Sequence, residues 1–255
     1  MKQALICVSF GTTVPSARQE IEAVEQALSA AAPERVMVRA FTSGMIRRVL
    51  AGRGQPVPSL PEALESLRRD GVEDVFVQPT HFLCGVEYDK LRAEALSAAS
   101  GFARLRVGRP LLASTEDLRA VAAMVADRFP AETGRAVVLM GHGSTHFANV
   151  VYPAIQTIFE LAGRPDIRVG TVEGWPTLEE VRETLRSMKV DRAPLAPLML
   201  VAGDHALNDM AGEGPDSWKT LLEQDGYAVT ATLEGLGRRE EIQALYAAHL
   251  TQDLN

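Results

Sequence analysis

Cysteines, aromatic residues and long apolar runs are all scarce in this chain. Its 255 residues include two cysteines, Cys7 and Cys84, and 5% of the residues are aromatic. Two isolated cysteines exclude a disulfide framework and a Cys-x-x-Cys metal motif, and they fit a reducing compartment. No apolar run approaches the roughly 18 residues that span a bilayer. We therefore expect a cytoplasmic globular protein with no membrane partner.

Basic residues are also in the minority, and the usual nucleotide motifs are missing. Lys and Arg number 26 against 33 Asp and Glu, which gives a net charge of −7 and argues against a nucleic-acid partner. No P-loop pattern occurs, and His146 stands where a dinucleotide fingerprint needs its third glycine. Ser144 is not followed by x-Gly, so a nucleophile elbow is also excluded. We expect no cofactor-binding residues of these kinds.

What the chain does contain is an alternation of apolar strands and amphipathic helices that occurs twice. This pattern predicts an α/β fold with two similar lobes, each a mainly four-stranded parallel sheet flanked by helices, with a cleft between them. The N-terminal lobe is expected over residues 1–130 and the C-terminal lobe over 131–255, with a terminal helix that could pack on the other lobe. The apolar N-terminus is interpreted as the first strand and not as a signal peptide, because no cleavage pattern follows it. The predicted strands are residues 4–8, 36–41, 72–77 and 105–107, then 136–140, 166–172, 195–202 and 228–232.

Three polar side chains follow predicted strands of the second lobe. His142 lies on a glycine loop, Glu173 follows 31 residues later and His205 after another 32, about one strand, crossover helix and strand each. Ligands of open α/β sheets bind at the carboxyl ends of the strands, so the three should lie close together. At the matching points of the first lobe stand Phe10 and Thr42. The loops themselves therefore do not require an imidazole or a carboxylate.

Each of these residues also has a structural explanation. His142 could bond to backbone, Glu173 could cap a helix, and His205 could belong to a helix N-terminus. Together, however, two imidazoles and one carboxylate form a ligand set for a divalent metal with open coordination positions. His146 is expected to face solvent or cap the helix after its loop, although a ligand or supporting role stays open. The polar neighbours that could orient His205 are Asp204, Asn208 and Asp209.

Five motifs then connect the chain to a known family. They are SFGT at residues 9–12, FTSG at 41–44, GHG at 141–143, VEG at 172–174 and GDHALNDMAG at 203–212. In these motifs, over nearly its whole length, the chain resembles the anaerobic sirohydrochlorin cobaltochelatases. These are cobalt chelatases of cobalamin biosynthesis among the class II tetrapyrrole chelatases, and they are related to protoporphyrin ferrochelatase.

The resemblance implies a lyase-type enzyme of porphyrin and cobalamin biosynthesis that inserts Co²⁺ into sirohydrochlorin and releases two protons. It implies that His142, Glu173 and His205 bind the metal, with His142 as the principal base and Glu173 sharing in catalysis. No cofactor beyond the metal substrate is expected. Insertion of iron or nickel into the same ring remains an alternative, because first-row divalent ions share these ligands. A second alternative is a non-catalytic carrier that binds tetrapyrrole or metal.

The tetrapyrrole itself is a polycarboxylate with a flat apolar ring, so contacts of two kinds are expected. Apolar or aromatic groups would lie against the ring face, and basic groups would offset the acidic net charge. The roles of His81 and Cys84, haem binding and self-association stay open. The expected ring contacts are Phe10, Thr12, Val86 and Tyr88, and the expected basic residues are Arg47, Arg48 and Lys90.

Overall fold

Seven parallel strands and nine α-helices follow one another in the computed structural model, which describes residues 1–254. The strands form two separate sheets, one of four strands and one of three. An α/β fold with two parallel sheets flanked by helices, as the sequence pattern predicts, is confirmed. The chain divides into two compact units, and each is described by itself.

The first unit consists of residues Met1–Ala113 together with the chain from Gly237 onward. Its sheet has the order β2-β1-β3-β4, and every neighbouring pair is parallel. The strands are β1 (Gln3–Ser9), β2 (Val36–Phe41), β3 (Asp74–Pro79) and β4 (Arg104–Val107), and the helices are α1 (Pro15–Ala31), α2 (Gly44–Gly52), α3 (Leu60–Arg69), α4 (Val86–Ser97) and α9 (Glu240–Leu254).

Burial explains why the central strands of this sheet read as unbroken apolar runs. All six residues of β3 are buried, and so are six of the seven in β1, because helices cover both faces of a parallel sheet. Local signals set the helix starts. Ser59 and Glu62 form a reciprocal capping box at the start of α3. These elements hold the carboxyl ends of β1, β2 and β3 at one edge.

The second unit spans Ser114–Leu236, and its sheet has the order β6-β5-β7. Gln156 protects the outer strand: its Nε2 donates to the Ile167 carbonyl and its Oε1 accepts from the Val169 amide. The elements are α5 (Thr115–Arg128), β5 (Val137–Gly141), α6 (Val151–Leu161), β6 (Ile167–Thr171), α7 (Leu178–Ser187), β7 (Leu195–Pro197) and α8 (Trp218–Gln224).

Two strand predictions for the second unit are wrong. Strand β7 ends at Pro197 instead of residue 202, and Pro197 has no N–H with which to extend the ladder. Among the described residues, 228–232 form only isolated bridges, such as the one between Leu195 and Ala231, and not a fourth strand. His205 therefore does not directly follow a strand.

The two units also divide the chain at other points than the expected boundary after residue 130. Helix α5 packs on α6 inside the second unit, whereas the terminal helix α9 packs on α1 inside the first. The last helix thus belongs to the same unit as residues Met1–Ala113. Within residues 1–254, no helix is both long and apolar enough to cross a membrane.

Candidate metal centre

Three side chains of the second unit converge although they are far apart in sequence. His142, Glu173 and His205 each offer one ligand atom, and these atoms all lie within 4.8 Å of one another. Nδ1 of His142 lies 3.8 Å from Oε2 of Glu173. The rings of His142 and His205 meet edge to face with centroids 4.8 Å apart. The structure thus brings together the three residues that the sequence predicts as metal ligands.

The loop that carries His142 is fixed by two glycines and a tyrosine. Strand β5 ends at Gly141, where a Cβ atom would collide with the ring of Tyr152. The Tyr152 hydroxyl accepts a hydrogen bond from the Gly143 amide at 3.2 Å, and burial raises the pKa of this hydroxyl to about 12. Gly143 itself has a φ of +83°, which a residue with a side chain adopts only with strain. The imidazole therefore projects from a rigid loop.

Glu173 is held to the same loop by direct backbone and side-chain bonds. Its amide donates to the His142 carbonyl at 2.7 Å. Asn149 then bridges the two loops: its Oδ1 accepts from the Ser144 amide at 3.0 Å, and its Nδ2 donates to the Trp175 carbonyl at 2.6 Å. These bonds fix the backbone of one ligand relative to that of the other.

His205 comes from a helical turn instead of a strand end. It directly precedes a π-helical turn, Ala206–Met210, and its Nδ1 lies 2.5 Å from Oδ2 of Asp209. Of its polar neighbours, Asp204 and Asn208 bond to each other at 2.8 Å, which leaves Asp209 as the residue that orients the ring. π-Helical turns are rare and recur at functional sites.

These contacts decide which ring nitrogens can bind a cation. Nδ1 of His142 lies 3.0 Å from the Gly143 carbonyl, which can only accept, so this contact favours the tautomer with the proton on Nδ1. The Asp209 carboxylate has the same effect on His205. In these tautomers the lone pair that is available for a metal ion lies on Nε2 of each ring.

Exposure leaves this ligand set open to a substrate. The side chains of His142 and Glu173 are 47% and 58% exposed, and that of His205 is 30% exposed. Nitrogen and oxygen ligands about 2.1 Å from one ion lie roughly 3.4 Å apart in a tetrahedral site, so small side-chain rotations suffice to close the set. Three ligands would leave positions free for water or for another ligand. Such a site can hold a divalent cation and also release it.

The sequence-predicted ring contacts lie in the first unit and differ in their surroundings. Phe10 and Val86 are 48% and 54% exposed. Thr12 is buried and its hydroxyl accepts from the Val14 amide at 3.2 Å. The Tyr88 hydroxyl donates to the Gly108 carbonyl at 3.3 Å, and partial burial raises its pKa. Phe10 and Val86 thus offer free apolar surface, whereas the hydroxyls of the other two serve the fold.

Other residues named from the sequence also have defined places. His146 caps the short helical turn after its loop, as predicted, with Nδ1 accepting from the Ala148 amide at 3.0 Å. Arg47 forms an ion pair with Glu62 at 3.1 Å, while Arg48 and Lys90 are exposed.

Sequence reasoning did not identify Tyr152 and Asn149 as supports of the site. Both lie in the segment after the His142 loop, in places that single-sequence patterns assign to ordinary helix. The signals that could have pointed to them are Gly141 and Gly174, where any Cβ would meet Tyr152 and Asn149 respectively.

Comparison with known proteins extends over the whole chain. A family model described as "Cobalt chelatase (CbiK)" matches residues 3–255. A sirohydrochlorin cobaltochelatase of Salmonella typhimurium is 40% identical over 258 residues, with 100% of this chain and 97% of that protein covered. Sirohydrochlorin cobaltochelatase CbiKC of Nitratidesulfovibrio vulgaris is 32% identical over 98% of this chain and 90% of that protein. In fold, the structure of SirB from Bacillus subtilis with Fe³⁺ is similar, with a TM-score of 0.68, 16% identity, and coverage of 99% and 96% of the two chains.

Proposed function

The chain belongs to the cobalt chelatase (CbiK) family, and on that premise we propose that it inserts Co²⁺ into sirohydrochlorin, as the names of its relatives indicate for them. The reaction exchanges one divalent cation for two pyrrole N–H protons. It needs a site that holds a cation weakly and a group that takes up protons. The metal and the tetrapyrrole are both substrates of this reaction.

The observation that carries the proposal is the convergence of His142, Glu173 and His205 on one exposed point. Two neutral nitrogens and one carboxylate are a suitable set for Co²⁺, and a fully closed cage of four protein ligands would retain the ion. The carboxylate neutralises one of the two positive charges of the cation. The second charge is available to attract the deprotonated ring, which supports transfer toward the macrocycle.

Proton uptake is assigned to His142. As the ion moves from Nε2 of His142 to the ring, the lone pair of this nitrogen becomes free to accept one of the two pyrrole protons, and the other passes directly to water at this exposed site. An imidazole is suited to this because it exchanges protons near neutral pH. The exposure of the side chain then lets the proton pass to solvent. Glu173 and His205, the latter held by Asp209, keep the ion in position until it is transferred.

The same proposal places the reaction in the cytoplasm and requires no cofactor besides the metal substrate. Among residues 1–254, neither Cys7 nor Cys84 forms a disulfide bond, which fits a reducing compartment. Burial of Cys7 raises the pKa of its thiol, so it is not a ready ligand or nucleophile. The ligand types do not discriminate strongly among first-row ions, so iron and nickel are to be tested alongside cobalt.

The test is an insertion assay in which sirohydrochlorin is mixed with Co²⁺ and the change in ring absorption is followed. We expect His142→Ala to lower the insertion rate by at least a hundredfold, because it removes both a ligand and the base. Glu173→Gln and His205→Ala are expected to lower the affinity for Co²⁺ more than the rate at saturating metal. Parallel reactions with Fe²⁺ and Ni²⁺ measure metal preference.

A matched control separates chemistry from folding. Glu213→Gln changes an exposed carboxylate in the same unit. This variant should insert Co²⁺ at nearly the wild-type rate. Wild-type protein that does not accelerate insertion, or a His142→Ala variant as fast as wild type, would remove this proposal.

A further inference from the structure

The first unit has buried polar atoms without partners at the carboxyl end of its sheet. Among residues 1–254, no hydrogen-bond partner exists for Ser9 Oγ, Thr42 Oγ1 or either ring nitrogen of His81, although all these atoms are buried. They belong to the ends of three neighbouring strands: Ser9 is the last residue of β1, Thr42 follows β2, and His81 lies two residues beyond β3. Buried polar groups are nearly always bonded, so such a cluster requires an explanation.

Strand register sets two of these residues beside an exposed aromatic ring. β1 pairs with β2 through Ser9 and Phe41, and with β3 through Val8 and Pro79. The ladder continues past the strands, since the Thr42 amide donates to Ser9 and the Thr80 amide to Val8. Extending the same register places Thr42, Phe10 and His81 in one row across the edge, with Phe10 48% exposed in the middle.

The position of His81 is fixed by its backbone and not by its ring. The Tyr246 hydroxyl contacts the carbonyl oxygens of Thr80 and His81 at 2.9 and 3.0 Å, and the Leu111 amide also donates to the His81 carbonyl at 3.0 Å. The carboxylate of Glu87 is the charged group that acts on the ring. Burial lowers the pKa of the imidazole to about 4, so the ring is neutral at physiological pH and offers one N–H donor. The residue as a whole is partly exposed although both ring nitrogens are buried, so the ring must turn toward the edge to meet a ligand there.

We propose that this edge of the first unit is a polar subsite in which His81 and Thr42 donate hydrogen bonds to carboxylate groups of the tetrapyrrole, beside a face of Phe10 that contacts the ring. The proposal rests on the proposed function, because it takes sirohydrochlorin as the ligand. Ligands of open α/β sheets bind outside the carboxyl ends of the strands, which is where the unpartnered donors lie. The net charge of −7 disfavours an anionic ligand. Neutral N–H and O–H donors at this edge would still orient the carboxylates of the tetrapyrrole through hydrogen bonds.

The experiment measures sirohydrochlorin binding without metal, by the shift in ring absorption on titration with protein. His81→Leu and Thr42→Val remove the donors at similar volume, and each should raise the dissociation constant about tenfold, the loss of one hydrogen bond to a charged group. His81→Gln and Thr42→Ser keep a donor at each position and should recover most of the affinity. Co²⁺ binding to the second unit should be unchanged in all four variants.

The possible results divide clearly. Leu and Val variants that bind within twofold of wild type, or a Gln variant that loses as much affinity as the Leu variant, would overturn the subsite and leave His81 as an unsatisfied core residue. Wild-type protein that binds the tetrapyrrole but does not insert metal would contradict the proposed function while the subsite stands. Wild-type protein that does not bind the tetrapyrrole contradicts both.

Discussion

Replacing Gly143 by alanine tests whether the fit between the two ligand loops controls the metal centre. A Cβ atom at Gly143 would lie 2.8 Å from the Glu173 carbonyl carbon and 2.9 Å from the Gly174 Cα, and it would also contact the Gly174 amide nitrogen. All three atoms belong to backbone, so no side chain can move away to relieve the clash. Ordinary contact begins near 3.4 Å, so the loops must separate by at least about 0.6 Å.

This displacement is large enough to affect catalysis. Functional groups need positions within roughly 0.5 Å, and a shift of about 1 Å costs on the order of a hundredfold in rate. We therefore expect Gly143→Ala to lower both the affinity for Co²⁺ and the insertion rate by roughly ten- to a hundredfold. A left-handed alanine also costs about 1–2 kcal/mol of stability. Co²⁺ titration, the insertion assay and thermal unfolding would measure the three effects.

Gly163 provides a matched control in the same unit. Its φ is +73°, close to the +83° of Gly143, but a Cβ there meets nothing within 4 Å. Gly163→Ala should therefore lower the melting temperature by a few degrees through strain alone and leave insertion within twofold of wild type. If Gly143→Ala behaves as Gly163→Ala does in the insertion assay, loop fit does not control the site and the reasoning is wrong.

Three further predictions concern side chains around the two sheet edges. Asp209→Ala should weaken Co²⁺ binding about 10- to 100-fold because His205 loses its orienting acceptor. Asp209→Asn keeps an acceptor oxygen, so its affinity for Co²⁺ should lie between those of wild type and Asp209→Ala. Equal affinities of all three proteins in a Co²⁺ titration would refute the role of Asp209. Asn149→Ala should weaken Co²⁺ binding roughly tenfold because both bridging bonds disappear, with Asn149→Asp intermediate because it keeps only the acceptor. The third prediction concerns His81, whose pKa in the folded protein is about 4 instead of the ordinary 6.5. When the pH is lowered from 6.5 to 4, this imidazole takes up a proton in the unfolded chain but not in the folded protein. Wild type should therefore lose up to about 3 kcal/mol of stability over that range, and urea unfolding of His81→Gln should show a smaller loss.

The candidate ligands could be identified from sequence because their loops follow buried strands. Apolar runs fix β5 and β6, and the residues after a parallel strand emerge at the carboxyl edge whatever the details of packing. That argument predicts a common location for His142 and Glu173. It reaches His205 only in part, because the strand before it ends at Pro197 and a π-helical turn covers the remaining distance.

The supports of the site were beyond sequence reasoning because they depend on contacts between distant segments. Asn149 acts by joining two loops, and nothing in its own neighbours along the chain reveals that role. Tyr152 and Gly141 are understood only as a pair, since the glycine leaves room for the ring. The assignment of α5 and α9 to units likewise followed packing partners and not the order of the repeat.

Hydrophobic periodicity and local motifs are properties of short segments, so they were enough to predict the α/β class, the two parallel sheets and the family, and to select the candidate ligands. Packing between distant segments set the distances between the candidate ligand atoms, the contacts of the two imidazoles with Gly143 and Asp209, and the buried polar atoms without partners at His81 and Thr42. Hydrogen bonding and burial depend on which segments meet in space. A single sequence does not specify these meetings to the fraction of an ångström on which metal chemistry depends.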